Sequence, residues 1–409
     1  KVSARDLAAR AGAPVMPATA PLPRGIADAQ ARAREVGYPL MLKASWGGGG
    51  RGMRVIEDDA ELADELDSAR REASAAFGND EVYLEKLVRR ARPVEVQILG
   101  DRHGNMVHLH ERDCTMQRRN QKVVERAPAP YLNQEQRAGL HDAAVRIGRA
   151  ANYSNAGTIE FLMDVDSSEF YFIEVNPRIQ VEHTVTEMVT GIDLVKAQIR
   201  ISQGARIGTA ESGVPEQDKI KVSGNAIQCR VTTEDPENNF IPDYGRLTAY
   251  RGATGFGIRL DGGTAYSGAV ITPFYDSLLE KVTAWAPTPD EAIARMDRAL
   301  REFRIRGVRT NLLFLETLLG HAKFLSGEYT TRFIDETPEL FHFVKRRDRA
   351  TRLLRFIGEV IVNGNPEVAG RAIGPAAHSP VKPTIPSGAP PSGSRQRFEQ
   401  LGAAGVATW

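Results

Sequence analysis

The pattern of hydrophobic and polar positions divides the chain into helical and extended segments. Apolar residues recur at helical spacing after Asp59, which we expect to cap a helix that ends near Phe77. Another helix is predicted at 134–151, and two more at 290–303 and 310–319. Strands are predicted from apolar and β-branched runs at 81–88, 94–99 and 106–109.

Glycine and proline mark the remaining segments. Residues 36–55 are predicted to form a strand, a glycine-rich loop and a second strand, and residues 157–176 a hairpin. Between 220 and 285, short strands are broken repeatedly by glycine and proline. Residues 372–395 are rich in proline, serine and glycine and predict a disordered linker. The fold class is therefore predicted to be α+β, with at least two domains.

Composition narrows the classes of function. The 409 residues carry a formal net charge of only +1, which gives no support to a nucleic-acid or acidic-membrane partner. The sequence has no apolar run long enough to span a bilayer, about 18 residues. Cys114 and Cys229 are the only cysteines, which excludes a disulfide framework and a cysteine-rich zinc site. We expect a cytoplasmic protein, or one of the mitochondrial matrix in a eukaryote.

The glycine-rich loop is the first segment with chemical content. Consecutive glycines allow backbone amides to converge on phosphate oxygens. A P-loop would lead directly into a helix, whereas residues 54–56 continue as a strand. We therefore predict a lid over phosphates; the alternative is a hairpin tip without function. The candidate phosphate-binding residues are Lys43, Gly47, Gly48, Gly49, Gly50 and Gly52.

The hairpin at 157–176 carries acidic residues on both arms. With a turn near Ser167, the predicted opposed pairs are Glu160–Glu174, Leu162–Phe172 and Thr158–Asn176. Like charges across a ladder are destabilising, and a divalent cation such as Mg²⁺ would remove the conflict. Asn176 would add a neutral oxygen on the same face. The alternative is two solvent-facing glutamates in a slipped register.

Charged residues continue directly after the hairpin. Glu182 follows Arg178 and Gln180 closely and could act as a base that stays ionised beside a cation. Alone, such a run is more often a salt-bridged surface turn. Residues 111–122 combine four cations with two acids, and their lack of helical spacing predicts a loop that faces an anion.

Two further groups of polar residues lie in predicted strands. Arg230 lies between apolar residues and requires an anionic partner if it is half-buried. His108 and His110 share a strand face and could suggest a metal site. Because no third ligand is near them in sequence, we interpret them as ordinary strand residues.

Together these segments resemble a known family. Residues 38–52 and 172–179 look like the two signatures of the ATP-grasp branch that contains carbamoyl-phosphate synthetases and biotin carboxylases. Residues 111–122 and 178–183 narrow the resemblance to biotin carboxylase. Residues 333–371 resemble the corresponding segment of pyruvate carboxylases more than that of acyl-CoA carboxylases. The implied fold is ATP-grasp followed by the β-rich C-terminal domain of biotin carboxylases.

The resemblance extends from Lys1 to about Arg371 and implies a division of the chain, truncated at both ends. A Rossmann-like domain would precede Lys1. The implied segments are a remnant leading into ATP-grasp (1–20), a lid with the glycine-rich loop (21–87), a central part with metal and bicarbonate sites (88–219), the C-terminal domain (220–334), a connecting segment of the pyruvate carboxylase type (335–371), and a linker with the start of the next region (372–409).

The implied activity is the carboxylation of biotin by ATP and bicarbonate through carboxyphosphate. Glu182 would deprotonate bicarbonate, and Arg230 would stabilise the enolate of biotin. Mg²⁺ (or Mn²⁺) would be bound by Glu160, Glu174 and Asn176. The residues implied for nucleotide and cofactor are Lys1, Lys43, the loop glycines, Glu85, Lys86, Val88 and Gln117, and those for bicarbonate are Arg178, Gln180, Val181 and Lys122.

The resemblance also implies partners. The sequence lacks a biotin-attachment motif, so biotin would be carried on a separate domain of a full-length, homo-oligomeric enzyme with a carboxyltransferase domain. That enzyme would make oxaloacetate from pyruvate. The alternatives are the biotin carboxylase of an acyl-CoA carboxylase, another ATP-grasp ligase, and an inactive nucleotide-binding fragment.

Overall fold

The structure, a computed structural model, describes residues 2–46, 53–263, 265–343 and 349–364. The chain forms two compact units, Lys1–Lys345 and Arg346–Trp409. The described helices are α1 (Val2–Arg10), α2 (Ile26–Val36), α3 (Asp59–Phe77), α4 (Gln134–Ala150), α5 (His183–Thr190), α6 (Leu194–Ser202), α7 (Pro289–Glu302), α8 (Leu312–Leu319), α9 (Ala322–Ser326) and, in the second unit, α10 (Arg349–Asn363).

The described strands all belong to the first unit. They are β1 (Leu40–Ala44), β2 (Arg54–Ile56), β3 (Val82–Lys86), β4 (Ala91–Gly100), β5 (Met106–Arg118), β6 (Gln121–Ala127), β7 (Asn155–Asp164), β8 (Phe170–Asn176), β9 (Asn225–Thr232), β10 (Glu234–Asp235), β11 (Ile241–Pro242), β12 (Gly245–Arg246), β13 (Ala249–Arg251), β14 (Ile258–Gly262), β15 (Val270–Ile271), β16 (Leu278–Ala286) and β17 (Arg304–Arg306).

Eight of these strands form one antiparallel sheet in the order β14-β16-β9-β6-β5-β4-β7-β8. A separate three-stranded sheet has the order β2-β1-β3. Helices α4 and α7 pack against the large sheet, and α2 and α3 pack against the small one. This mixture of helices and antiparallel sheets confirms the α+β class. Among the described residues, none of the helices has the length and apolar character needed to cross a bilayer.

Helix α3 begins at Asp59, one residue earlier along the acidic pair than predicted. Asp58 is the cap, because its side chain accepts hydrogen bonds from two backbone amides of the first turn. The assignment of Asp59 as the cap is therefore wrong; it lies inside the helix, where it accepts a 2.7 Å hydrogen bond from the Tyr38 hydroxyl. The predicted helical face is confirmed by the buried residues Leu62, Leu66, Ala69 and Ala73.

The hairpin of β7 and β8 has a bulge that the sequence did not predict. Two predicted pairs are confirmed, Glu160–Glu174 and Thr158–Asn176. The third, Leu162–Phe172, is wrong because the register shifts by one after Glu160, and the observed pairs are Phe161–Phe172 and Leu162–Tyr171. An extra residue in one strand produces such a shift. It leaves both Phe161 and Phe172 buried.

The charged run at 111–122 is not the predicted loop. It forms the end of β5, a tight turn at Arg119 and Asn120, and the start of β6. Both turn residues have positive φ, 48° and 62°. The prediction failed because a lack of helical spacing is equally compatible with a strand. Arg112, inside the run, is fully buried, and its partners come from β4, β7, α5 and the segment before α5.

His108 and His110 lie on β5, as predicted, but a third histidine lies beside them, so the expectation that no third ligand is near is wrong. His141, from α4, stacks on His108 with ring centroids 4.0 Å apart. Burial, together with the neighbouring His141 and His110, lowers the pKa of His108 to about 3. Burial also lowers the pKa of His110, although the backbone of Ile220 acts to raise it.

Both cysteines lie in the large sheet, on the strands that flank β6. Cys114 belongs to β5, and Cys229 on β9 lies opposite Val124 of β6. Both are free thiols and are buried. Burial raises the pKa of each thiol well above its ordinary value.

Candidate functional site

A cavity of about 1320 Å³ lies between the small sheet and the large one. It brings together every predicted site residue that the structure describes. Its lining includes Lys43, Glu85, Lys86, Val88, Gln117, Lys122, Glu160, Glu174, Asn176, Arg178, Gln180, Val181, Glu182 and Arg230. The other candidates lie outside the described residues; they are Lys1, Gly47, Gly48, Gly49, Gly50 and Gly52.

Glu182 is held between two cations at one wall of the cavity. It immediately precedes α5, but its side chain makes no capping bond and turns towards the sheet. Lys122 Nζ lies 2.6 Å from Glu182 Oε1, and Arg230 Nη2 lies 2.9 Å from Oε2. Only 2% of Glu182 is exposed. Both contacts are charge-assisted hydrogen bonds, and they hold the buried carboxylate in place.

Lys122 connects three carboxylates. Besides Glu182, it contacts Glu95 at 2.6 Å and Glu160 at 3.1 Å. Burial alone would lower the pKa of Lys122, but the three carboxylates raise it well above its ordinary value. The ammonium group is therefore a fixed positive charge in the middle of the site.

Arg230 has the anionic partner that its position in an apolar strand requires. Its Nε donates to Glu125 Oε1 at 2.6 Å, while Nη2 reaches Glu182. Burial raises the pKa of Glu125; Arg230 opposes this rise and Glu182 adds to it. The guanidinium plane is thus fixed by Glu125 and presents its remaining edge to the cavity.

The paired carboxylates offer oxygen atoms suited to a hard cation. Glu160 Oε1 accepts hydrogen bonds from Lys122, from Asn176 Nδ2 at 2.9 Å and from Gln180 Nε2 at 3.0 Å. Glu174 lies opposite Glu160 and also lines the cavity. Carboxylate and amide oxygens in this arrangement fit Mg²⁺ or Mn²⁺.

Arg112 and its partners are site residues that sequence reasoning missed. Arg112 donates to Glu95 at 2.6 Å, to Gln97 at 2.8 Å and to Gln180 Oε1 at 2.9 Å, and it also reaches two threonines. It thereby orients Gln180, whose other end contacts Glu160. A signal was present: Glu95 and Gln97 alternate as polar residues in the otherwise apolar strand β4, which indicates a buried polar face.

The small sheet supplies the other side of the cavity. Lys43 on β1 forms an ion pair with Glu85 on the neighbouring strand β3. Lys86 Nζ donates to the backbone carbonyls of Gly37 and Tyr38 at 2.8 and 2.9 Å. Its ammonium group therefore joins β3 to the turn after α2.

Arg178 is the most loosely held of the predicted residues. Its guanidinium is exposed and contacts the Ile179 carbonyl at 3.2 Å and Asn176 Oδ1 at 3.4 Å. It lines the cavity without a carboxylate partner among the described ion pairs. An incoming anion would find this guanidinium accessible.

Two family matches cover most of the first unit. Residues 1–210 match the family described as carbamoyl-phosphate synthase L chain, ATP binding domain, and residues 228–336 match the biotin carboxylase C-terminal domain. The chain belongs to the biotin carboxylase family. This confirms the resemblance of the sequence and, with the structure, the prediction of an ATP-grasp fold followed by that C-terminal domain. The six-segment division of the chain stays a prediction.

Relatives of this biotin carboxylase include complete pyruvate carboxylases. That of Bacillus subtilis is 50% identical over 410 residues, and the mitochondrial one of Rattus norvegicus is 47% identical over 407 residues. Both alignments cover 100% of this chain but only 36% and 34% of the relatives. The chain therefore spans about a third of the length of these relatives.

Solved structures of carboxylases are also similar to this chain. A complete multifunctional pyruvate carboxylase from Rhizobium etli is 62% identical and has a TM-score of 0.72, covering 90% of this chain and 32% of that one. The biotin carboxylase domain dimer of Hydrogenobacter thermophilus 2-oxoglutarate carboxylase, in complex with MgADP, ADP and bicarbonate, is 41% identical. Its TM-score is 0.80, with 84% of this chain and 74% of that one covered.

Proposed function

We propose that the chain carboxylates biotin at the expense of ATP and bicarbonate, as the first half-reaction of a pyruvate carboxylase. The observation that carries this proposal is the position of Glu182. Its buried carboxylate lies between Lys122 and Arg230 in the same cavity as the paired carboxylates Glu160 and Glu174. Such a site combines a base, two cations for an anionic substrate and ligands for a nucleotide-bound cation.

The residues divide the chemistry between them. Bicarbonate would be bound by Arg178, Gln180 and the Val181 backbone, with Lys122 nearby. Glu182 would take the bicarbonate proton, and the resulting oxygen would attack the terminal phosphorus of ATP to give carboxyphosphate and ADP. Phosphate released from carboxyphosphate would take the proton from the biotin ring nitrogen, and Arg230 would stabilise the resulting enolate form of biotin while that nitrogen attacks the released CO₂. A planar guanidinium held by Glu125 suits that role.

The nucleotide would lie along the small sheet. Lys43 and the loop glycines would contact its phosphates. The backbone near Glu85, Lys86 and Val88 would contact adenine, and Gln117 is a further candidate contact of the nucleotide or cofactor. Glu160, Glu174 and Asn176 would hold Mg²⁺ or Mn²⁺. The cation supplies neutralisation of phosphate charge, which favours attack by an anion.

The pyruvate carboxylase assignment rests on the relatives. Pyruvate carboxylases match the whole chain, and the match continues through the segment after residue 336, beyond the C-terminal domain of biotin carboxylases. We propose that biotin arrives on a carrier domain, and that a carboxyltransferase domain then passes the carboxyl group to pyruvate to make oxaloacetate.

The substitution Glu182→Gln tests the proposed function. It keeps size and hydrogen bonding but removes the base, so biotin-dependent ATP hydrolysis in bicarbonate should fall roughly 10²- to 10⁴-fold. ATP affinity, measured by calorimetry, should change little. Glu211→Gln, at an exposed loop position, is the matched control. Turnover of Glu182→Gln within a few fold of the parent would refute the role of base, and a parent without bicarbonate-dependent hydrolysis would refute the function.

A further inference from the structure

Three histidines cluster on the face of the large sheet that lies away from the cavity. His108 and His110 come from β5 and His141 from α4. Their ring centroids are 4.0 to 5.2 Å apart, and one ligating nitrogen from each lies within 4.8 Å of the others. Glu111 contacts His141 of α4, whereas the next residue, Arg112, contacts Gln180 at the cavity, so the two clusters occupy opposite faces of β5.

The backbone of β5 is shaped to bring the histidines together. The register with β4 shifts between Val96 and Ile98, which gives β5 an extra residue. At this bulge His110 has a φ of 63°, in the left-handed region. A non-glycine residue in that region is uncommon, and such strain occurs preferentially where a side chain must be aimed.

A buried carboxylate fixes the orientation of the third ring. Glu111 Oε2 lies 2.7 Å from His141 Nε2, and Glu111 is itself held by Arg137 at 2.7 Å. The Nε2 proton of His141 therefore points at Glu111, which leaves the lone pair on Nδ1. A carboxylate behind a histidine is the arrangement that orients imidazole ligands in metal sites.

The cluster also contains an unused nitrogen. His110 Nε2 is buried and has no hydrogen-bond partner. The contact from the His110 amide to His108 Nδ1 is 3.4 Å, which is long and therefore weak. Buried polar atoms are nearly always paired, so an unpaired imidazole nitrogen beside two other histidines indicates a missing ligand.

We propose that His108, His110 and His141 form a second metal site, for a divalent transition-metal ion of the zinc type. Imidazole nitrogens suit Zn²⁺, Co²⁺ and Ni²⁺, whereas Mg²⁺ prefers oxygen ligands. Three histidines leave a fourth position for water, and two of the rings are only partly buried, so an ion can enter. The ligand nitrogens of a tetrahedral site lie about 3.4 Å apart, so these nitrogens, which lie within 4.8 Å of one another, must approach by at most about 1.4 Å.

Co²⁺ titration of the 409-residue chain, in excess Mg²⁺, tests the site. We expect one Co²⁺ per chain with the visible absorption of a tetrahedral ion, displaced by Zn²⁺. His141→Ala and His110→Phe should each weaken binding at least about tenfold. His103→Ala, which removes an exposed histidine that contacts the Gly204 carbonyl at 3.0 Å, should bind as the parent does.

Three results would overturn the proposal. The first is the absence of stoichiometric Co²⁺ binding by the parent. The second is binding that survives both His141→Ala and His110→Phe. The third is binding lost in Glu182→Gln but retained in His141→Ala, which would place the ion in the cavity. The far-ultraviolet circular dichroism of each variant shows whether it folds. Because the two substitutions lie on different elements, the test can still be made with one variant if the other does not fold.

Discussion

Single buried charges determine how the cavity is built, and Arg112 is the clearest example. Its guanidinium is fully buried and satisfied by Glu95, Gln97 and Gln180 among others. Removing one member of a buried ion pair leaves the other charge without compensation. The effect of Arg112 on stability should therefore exceed that of any surface arginine.

Arg112→Met is expected to lower the free energy of unfolding by about 3–5 kcal/mol. Glu95 would lose one of its two cations and keep only Lys122. Urea denaturation of the variant measures the change. Arg149→Met, on the exposed face of α4, serves as the control and should change stability by less than about 0.5 kcal/mol. Equal stability of the two variants would contradict this account.

Glu160 and Glu174 allow the metal assignment to be tested one residue at a time. Glu160→Gln and Glu174→Gln each remove a charged ligand, so each should weaken Mg·ATP binding far more than binding of metal-free ATP. Isothermal titration with and without EDTA separates the two affinities. Glu169→Gln, in the turn of the same hairpin, is the control. If both forms of ATP lose affinity equally, these residues are not metal ligands.

The sequence predicted those candidate residues that lie in short local motifs, but not their partners. Glu182, Gln180 and Asn176 lie within seven consecutive positions, so one signature identifies them. Glu95 and Glu125 contact the same site from strands far away in the sequence. Such pairs depend on strand order and register, which local patterns do not determine.

At the scale of elements, periodicity predicted helices and strands well and their irregularities poorly. Helix α3 and the hairpin of β7 and β8 appear where apolar spacing indicated. The bulge after Glu160, and the one that aims His110, have no sequence signal of their own. A bulge inserts one residue without changing the local alternation enough to be recognised. The C-terminal strands were predicted because glycine and proline mark their ends.

A tyrosine in the segment after α9 forms hydrogen bonds to the large sheet. Tyr329 donates to Asp113 at 2.6 Å and accepts from Arg126 at 3.1 Å, and all three are buried. Tyr329→Phe leaves Asp113 and Arg126 short of a partner and should cost about 1–3 kcal/mol of stability. Denaturation in urea checks this value. Tyr275→Phe, at a position 84% exposed, should be neutral; a neutral Tyr329→Phe would show that the tyrosine contributes only packing.

At the scale of the whole first unit, the two family matches meet inside one sheet. Strand β6 lies in the first match and most of strand β9 in the second. Four residue pairs join the two strands, and two of them, Val124–Cys229 and Glu125–Gln228, connect the matched ranges directly. The boundary between the families is therefore not a boundary between separate hydrogen-bonded layers. Sequence comparison divides the chain at a point where the structure is continuous.

We expect the strands of the large sheet to unfold together. In native-state hydrogen exchange, the slowest amides of β4, β6, β9 and β16 should report opening free energies within about 1 kcal/mol of one another. The small sheet of β1 to β3 has its own apolar core and is free to open at lower cost. Distinctly lower protection of β9 and β16 than of β4 would show that the two matched regions unfold independently.

The placement of Cys114 and Cys229 allows the frequency of sheet opening to be measured through the reactivity of their thiols. Each thiol is inaccessible while its strand stays paired with β6, and burial keeps it in the unreactive protonated form. An alkylating reagent can consequently modify either sulfur only during an opening event, and the rate of alkylation counts those events. The two sulfurs lie on strands at opposite sides of β6. Labelling of both at once therefore means that β6 has separated from both neighbouring strands, whereas labelling of one alone means that β6 has separated from that neighbour only.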